Sequence, residues 1–203
     1  MTRAEINARF EQNLSRVENL IAMYNWEGQG RRRAHDTDVL RAAIVLLHAS
    51  LEDFLRSHLI LNIDSFDDDT LDAYGFPSEH KRRQEKISLS QLAKYGELDI
   101  SSFVKDTVRD RIERYETFNS VGDIKNAIQK CGYNIEPIEN HDFSYLAAMI
   151  SRRHQIVHKA DRNDIAGGRG HHRTASVSGY TVSNYLWATR QFHNAVNDCM
   201  GDG

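Results

Sequence analysis

The chain has 203 residues, of which 40% are hydrophobic, and a formal net charge of −3 at pH 7. This length and hydrophobic content suffice for one substantial core, so we expect a single domain over residues 1–203. The small negative charge argues against a protein that coats nucleic acid through its overall field. Any contact with nucleic acid must come from a local basic patch.

The cysteines and the apolar segments bear on the compartment in which the protein works. Cys131 and Cys199 are the only cysteines, and their spacing supports neither a disulfide framework nor a thiolate zinc site. The first residues lack the apolar segment of a signal peptide, and no apolar run approaches the roughly 18 residues that a membrane span needs. The sequence therefore predicts a soluble, cytoplasmic protein with no membrane partner.

Apolar residues recur at helical spacing along most of the chain, which contains only two prolines, and this predicts an all-α fold. The first helix is predicted over about residues 2–26. Thr2 and Glu5 have the spacing of a capping box at its start, and Gly28 and Gly30 are expected to end it. Its apolar stripe consists of Ile6, Phe10, Leu14, Val17, Leu20, Ile21 and Tyr24.

A second long helix is predicted over about residues 36–62, after a basic cluster at residues 31–33. Asp36 is expected to serve as its N-cap. The first and second helices are candidates for an antiparallel pair. The apolar stripe of the second helix consists of Leu40, Ile44, Leu47, Leu51, Phe54 and Leu55.

Residues 63–139 look like a mainly helical insertion. Periodicity is weak at first and returns over about residues 100–118. Ser120 and Asp123 predict the capped start of a further helix, and Gly132 predicts its end.

Two more helices are predicted, over about residues 141–160 and 180–200. A loop rich in glycine, arginine and histidine separates them. Together with the first two helices they would form a four-helix bundle core, from which the insertion departs between the second and third of these helices.

The stretch SRRHQIVHKAD at residues 151–161 concentrates cationic and titratable side chains on the third core helix. On a helical wheel centred on Ile150, Arg153 lies about 60° to one side, and His154 and His158 lie about 40° and 80° to the other. Arg152 lies nearly opposite the centre, so we expect it to point at water. The apolar face is predicted to contain Phe143, Leu146, Ala147, Ile150 and Val157.

Polar groups along the edge of an apolar stripe need partners, a cleft or a second subunit, because their desolvation is costly. One interpretation is that Arg153 and His158 extend to water and pair with carboxylates across the bundle. A metal site is a second interpretation, since His154 and His158 have the i, i+4 spacing of a zincin helix. However, Gln155 stands where that motif needs glutamate, and no third ligand is evident, so we expect neither a metal nor another cofactor.

Catalysis is the third interpretation. Arginine stays charged and offers a planar fork of donors to phosphate oxygens, whereas histidine exchanges protons near neutral pH. This pair fits RNA cleavage by attack of the 2′-hydroxyl on the neighbouring phosphorus, with one side chain moving protons and the other stabilising the transition state. The chemistry requires no metal.

These residues carry a resemblance to a known superfamily. The run Arg153 to His158 resembles the R-x4-6-H motif of the HEPN superfamily, whose arginine is typically followed by a polar residue, here His154. Arg152 also satisfies the spacing, so the motif alone leaves the arginine ambiguous, and the wheel favours Arg153. Residues 46–56 resemble the second helix of the RiboL-PSP-type branch. Residues 157–161, followed by a glycine-rich loop and a final helix, are also similar to that branch.

The resemblance implies a homodimer in which two motif helices meet at a shared cleft, each subunit contributing one arginine and one histidine. Arg153 would bind and stabilise the scissile phosphate, and His158 would act as general acid or base. His154 would occupy the polar position after the arginine, and Glu52 would orient Arg153. By spacing alone, Glu52 is an ordinary exposed helix carboxylate.

Basic residues near the motif are candidates for RNA contacts, namely Arg152, Lys159 and Arg169. The sequence thus predicts a metal-independent endoribonuclease, with RNA and an antitoxin or defence-system protein as partners. By family analogy it would be a toxin or effector of a toxin–antitoxin or phage-defence system. The alternatives are a non-catalytic HEPN module that binds RNA, nucleotide or a partner protein, and a structural dimerisation domain.

Overall fold

The computed structural model describes residues 1–26, 36–75, 99–139, 141–162 and 174–200, together with the single residues 90, 93 and 96. Within these ranges the chain is helical and contains no β-strand, so the predicted all-α fold is confirmed. The helices are α1 (Arg3–Trp26), α2 (Asp36–Leu61), a 3-10 turn (Ile63–Ser65), α3 (Asp68–Tyr74), α4 (Ile100–Tyr115), α5 (Val121–Lys130), α6 (Glu136–Glu139), α7 (Ser144–Lys159) and α8 (Gly179–Cys199).

The predicted capping box starts α1. The Thr2 backbone N–H donates to Glu5 Oε2 at 2.6 Å, and the Glu5 N–H donates to Thr2 Oγ1 at 3.3 Å, which satisfies two amides that a helix start otherwise leaves unpaired. The predicted apolar stripe of α1 is buried apart from Leu20, which is partly buried. Gly28, Gly30 and the basic cluster at 31–33 lie outside the described residues.

Helices α1 and α2 form the expected antiparallel pair. Phe10 and Phe54 stack with ring centroids 4.7 Å apart, and the Arg9 guanidinium pairs with Asp53 at 2.9 Å, so the start of α1 lies beside the end of α2. Every predicted core residue of α2 is buried. Asp36 is the first residue of α2, whereas an N-cap would stand just before the first helical residue, so the helix begins one residue earlier than predicted.

Helices α7 and α8 complete the four-helix core and run antiparallel to each other. Phe143 near the start of α7 packs against Phe192 near the end of α8, and Met149 contacts Thr189 at 3.9 Å. Helix α7 begins at Ser144, three residues after the predicted start. The Asp142 side chain accepts the Ser144 N–H at 2.9 Å, and such a local turn competes with helix.

The insertion packs on α2 through α4 and α5. Ser120 caps α5 as predicted, its hydroxyl accepting the Asp123 N–H at 3.1 Å. Gly132 follows α5 with φ of 72°, the left-handed conformation that favours glycine at a helix end. Phe118 is 1% exposed and lies in the segment between α4 and α5, so the insertion contributes to the core.

His58 is a neutral histidine in the core. Its Nδ1 lies 2.9 Å from Tyr133 Oη, which itself accepts from Asn62 Nδ2 at 2.7 Å. The Tyr133 hydroxyl thus links His58 Nδ1 to Asn62, while His58 Nε2 is buried without a hydrogen-bond partner among the described residues. Burial, together with the smaller effect of the Arg3 charge, lowers the pKa of His58 to about 4.

This pKa predicts a pH dependence of stability. Since the folded pKa is about 4 and the ordinary value is 6.5, the unfolded chain binds the extra proton between these limits. Stability is therefore fully present above pH 6.5 and falls by about 3 kcal/mol as the pH drops towards 4. In His58→Asn, which removes the titrating imidazole and keeps a polar group beside Tyr133, the free energy of unfolding in urea should depend less steeply on pH between pH 4 and 7. An unchanged slope would contradict a neutral His58.

Candidate active site

The buried face of α7 differs from the predicted one. Leu146, Met149 and Ile150 are its buried residues, and Met149 is 0% exposed. Including Met149 moves the centre of the face about 50° from Ile150 towards Met149. The expectation that Ala147 and Val157 lie inside was wrong, since both are exposed, Val157 by 48%. The shift accounts for Ala147, whereas Val157 stays within about 30° of the new centre and is exposed two residues before the helix ends.

Arg153 lies close to the new centre of this face and is half-buried. Its side chain is near enough to α2 that its positive charge contributes to lowering the pKa of His48. Arg153 makes no hydrogen bond or ion pair with the part of the chain that the structure describes. No carboxylate of the described residues therefore forms an ion pair with the Arg153 guanidinium.

His48 of α2 is not among the site residues predicted from the sequence, and it is 0% exposed. Its Nε2 donates to the Phe118 carbonyl at 3.2 Å, which leaves Nδ1 as an unprotonated nitrogen. Nδ1 has no hydrogen bond within the described residues and lies 3.9 Å from Glu52 Oε1. Burial lowers the pKa of His48 and Glu52 raises it, while Arg153 lowers it.

Glu52 is mostly buried, with 13% of its side chain exposed, and is not an ordinary surface carboxylate. Its Oε2 lies 3.4 Å from Arg56, whose guanidinium also donates to the Glu116 carbonyl at 2.8 Å. We call His48 Nδ1 and Glu52 Oε1 the acceptor pair. No hydrogen bond joins Glu52 to Arg153 in the described part, so the predicted orienting contact stays a prediction.

Arg152 does not point at water, contrary to expectation, and only 16% of its side chain is exposed. Its Nη2 donates to Asp161 Oδ2 at 2.8 Å, to the Ala175 carbonyl at 2.9 Å and to the Ser176 carbonyl at 3.2 Å. The rotated face of α7 explains the error, because it brings Arg152 towards the segment before α8. These contacts occupy Arg152, so Arg153 fits the motif arginine better.

Asp161 also forms an ion pair with an arginine of α2. Arg41 Nε donates to Asp161 Oδ2 at 2.7 Å, and Arg41 Nη2 donates to the Ala175 carbonyl at 2.8 Å. Asp161 is 1% exposed. We call Asp161, Arg41 and Arg152 the Asp161 clamp. The sequence offered one signal for it, an arginine on the apolar side of α2, but nothing that named its partner.

The backbone around the clamp caps α7. Ala160 and Asp161 have φ of 48° and 53°, a left-handed pair that non-glycine residues rarely adopt. The Ala160 and Asp161 N–H groups both donate to the Gln155 carbonyl, the second at 3.0 Å, and the Ala175 N–H donates to the Asp161 carbonyl at 2.9 Å. The clamp therefore fixes the last turn of α7 against the segment that leads to α8.

His154, His158 and Lys159 are exposed on that last turn and a half of α7. The rings of His154 and His158 lie with centroids 4.6 Å apart and planes tilted by 43°. No group of three side chains suited to hold a metal occurs in the described ranges. Arg169, the remaining predicted RNA contact, lies outside them.

Comparison with known proteins identifies the family. The model of the RiboL-PSP-HEPN family matches residues 11–172, and the chain belongs to this family. No curated protein and no solved structure matches the chain. None of the helices that the structure describes has the length and apolar composition that a membrane span requires.

The Asp161 clamp predicts a large effect on stability. Asp161→Ala removes the carboxylate that two buried guanidinium groups share, and uncompensated buried charge should lower the free energy of unfolding by about 3–5 kcal/mol. Asp38→Ala is the matched control, since Asp38 also pairs with Arg41, at 3.1 Å, but its side chain is 70% exposed. The control should lose less than about 1 kcal/mol in urea unfolding. Equal losses would contradict a buried clamp.

Proposed function

We propose that this protein is a metal-independent endoribonuclease of the HEPN type. The observation that carries the proposal is the state of Arg153, which is half-buried, whose charge acts on His48, and which forms no ion pair within the described residues, while His158 is exposed at the same end of α7. A half-buried arginine without a committed carboxylate is costly unless an anion or a second subunit compensates it. An RNA phosphate is such an anion.

The chemistry follows from the two side chains. His158 removes the proton of the 2′-hydroxyl or returns one to the leaving oxygen, and the 2′-oxygen forms a bond to phosphorus as the bond to the 5′-oxygen breaks. The products are a 2′,3′-cyclic phosphate and a 5′-hydroxyl. Arg153 donates to the non-bridging oxygens, whose charge grows in the transition state.

A homodimer completes the site in this proposal. Five residues along a helix correspond to about 7.5 Å and a rotation of about 140°, so Arg153 and His158 of one chain point to different sides of α7. A second copy would bring its arginine opposite the first copy's histidine. Exposed apolar side chains at this end of the bundle, Val157 at 48% and Tyr180 at 78%, favour a covering partner.

The biological setting rests on the family. We propose RNA as the substrate, with Lys159 contacting its backbone from the exposed end of α7. A role as a toxin or effector, in a toxin–antitoxin or phage-defence system of the cytoplasm, would supply an antitoxin or defence protein as the second partner.

Cleavage in the presence of EDTA tests the catalytic assignment. Arg153→Ala and His158→Ala should each lower the rate on a labelled RNA by at least about 100-fold, since each removes transition-state stabilisation or proton transfer. Arg152→Ala should instead lower the unfolding midpoint. Arg109→Ala, an exposed arginine on α4 that pairs with Asp106, is the matched control and should cleave at the wild-type rate.

Three outcomes would contradict the assignment. Cleavage that persists in folded Arg153→Ala and His158→Ala would identify a contaminating nuclease or a different site. RNA binding without cleavage by the wild type would favour the non-catalytic binding module. A wild type that needs an added metal for cleavage would contradict the metal-independent mechanism.

If the active site is formed by residues of two subunits, a variant that cannot dimerise should also lose RNA cleavage. Val157→Glu places a charge on the exposed face beside His158 and should give a folded monomer with RNA cleavage lowered by at least about 100-fold. Light scattering after gel filtration measures the mass, and circular dichroism verifies folding. Ile100→Glu, at an apolar side chain on α4 that is 74% exposed, is the control and should remain dimeric and active. A monomeric Val157→Glu that still cleaves RNA would contradict the composite site.

A further inference from the structure

We propose that His154 and His158 form a binding site for a borderline divalent metal, Zn²⁺, Ni²⁺ or Cu²⁺, whose occupation inhibits RNA cleavage. The binding site stands on the geometry of α7 alone. The inhibitory consequence rests on the proposed function of His158, and the experiment below separates the two.

The separation of the two rings is compatible with one shared metal ion. A ligating imidazole nitrogen lies about 2.1 Å from zinc, which places the ion about 3.2 Å from each ring centre. Ring centroids 4.6 Å apart then subtend an angle of about 90° at the ion, close to the angles of four- and six-coordinate sites. The i, i+4 spacing on a helix produces this proximity, because the two side chains share one face.

The surroundings of the pair suit metal capture. Both histidines are exposed, so an ion reaches them from solvent without opening the bundle. Imidazole binds zinc, nickel and copper in preference to magnesium or calcium, which select oxygen ligands. Since the described residues provide no third ligand beside the pair, water or a second copy of the pair would complete the shell. In the proposed dimer, four imidazoles would share one ion.

Metal binding at this site would oppose catalysis. The imidazole of His158 exchanges a proton through a lone pair, and coordination occupies the lone pair of the ligating nitrogen. The ion would therefore inhibit, and EDTA would restore cleavage. The glutamate that the sequence lacks at Gln155 is needed for zincin catalysis but not for an inhibitory site.

Direct binding tests the site without reference to activity. Untagged wild-type protein should bind Zn²⁺ in calorimetry at micromolar concentration, and His154→Ala or His158→Ala should each weaken binding by at least about tenfold. The Cu²⁺ electron paramagnetic resonance signal should show nitrogen couplings from at least two imidazoles, reduced in either variant. His141→Ala, another histidine of the chain, should bind as the wild type does. Wild-type affinity in both single variants would overturn the site.

Cleavage assays test the regulation. If the wild type cleaves RNA, Zn²⁺ at saturating concentration should lower the rate by at least about tenfold and EDTA should restore it. Cleavage that continues at full rate in the zinc-loaded protein would overturn the inhibition. If the protein binds Zn²⁺ through both histidines but never cleaves RNA, the proposed nuclease fails while the metal site stands.

Discussion

The buried polar contacts of α2 determine how the end of α7 is arranged. Arg41 joins α2 to Asp161, His48 joins it to the Phe118 carbonyl, and Arg56 joins it to the Glu116 carbonyl. These residues occur among leucine and phenylalanine side chains that bury α2 along most of its length. Because each polar group there is costly to bury unpaired, the contacts fix both the segment after α7 and the segment before α5 relative to one helix.

The Asp161 carboxylate gives Arg152 and Arg153 different surroundings, although they are neighbours in sequence. Asp161 accepts from Arg152 and Arg41, so Arg152 is held in a buried network at the helix end. Arg153 lies about 100° further round α7 and faces α2, where His48 Nδ1 and Glu52 Oε1 lie 3.9 Å apart. Two adjacent acceptors repel each other unless a cation or a proton lies nearby, and the charges of Arg153 and Arg56 both act on His48, Arg56 also pairing with Glu52 at 3.4 Å. Packing therefore favours Arg153 over Arg152 as the motif arginine, and the assignment stays a prediction.

Local patterns predicted the helices, and long-range contacts caused the errors. The capping pairs at Thr2 and Ser120 and the apolar stripes of α1 and α2 depend on residues close in sequence, so spacing was sufficient to predict them. Arg41 and Asp161 are 120 residues apart, and no local pattern joins them. The helical wheel of α7 placed Arg152 in solvent because Met149 was left out of its apolar set. The centre of the buried face was therefore assigned about 50° away from its observed position. The motif itself, Arg153 to His158, was found from spacing and resemblance.

The contacts between the insertion and α2 suggest how the insertion contributes to the site. Within the insertion, His48 and Arg56 donate to the backbone carbonyls of Phe118 and Glu116 and not to its side chains. Side chains of the segment can therefore change without loss of these bonds, provided that the backbone keeps its path. The buried Phe118 ring, 5.7 Å below the Arg56 guanidinium, holds that path. Displacement of this segment would remove the carbonyl that accepts from His48 Nε2. The imidazole proton could then move to Nδ1, which would alter the acceptor pair.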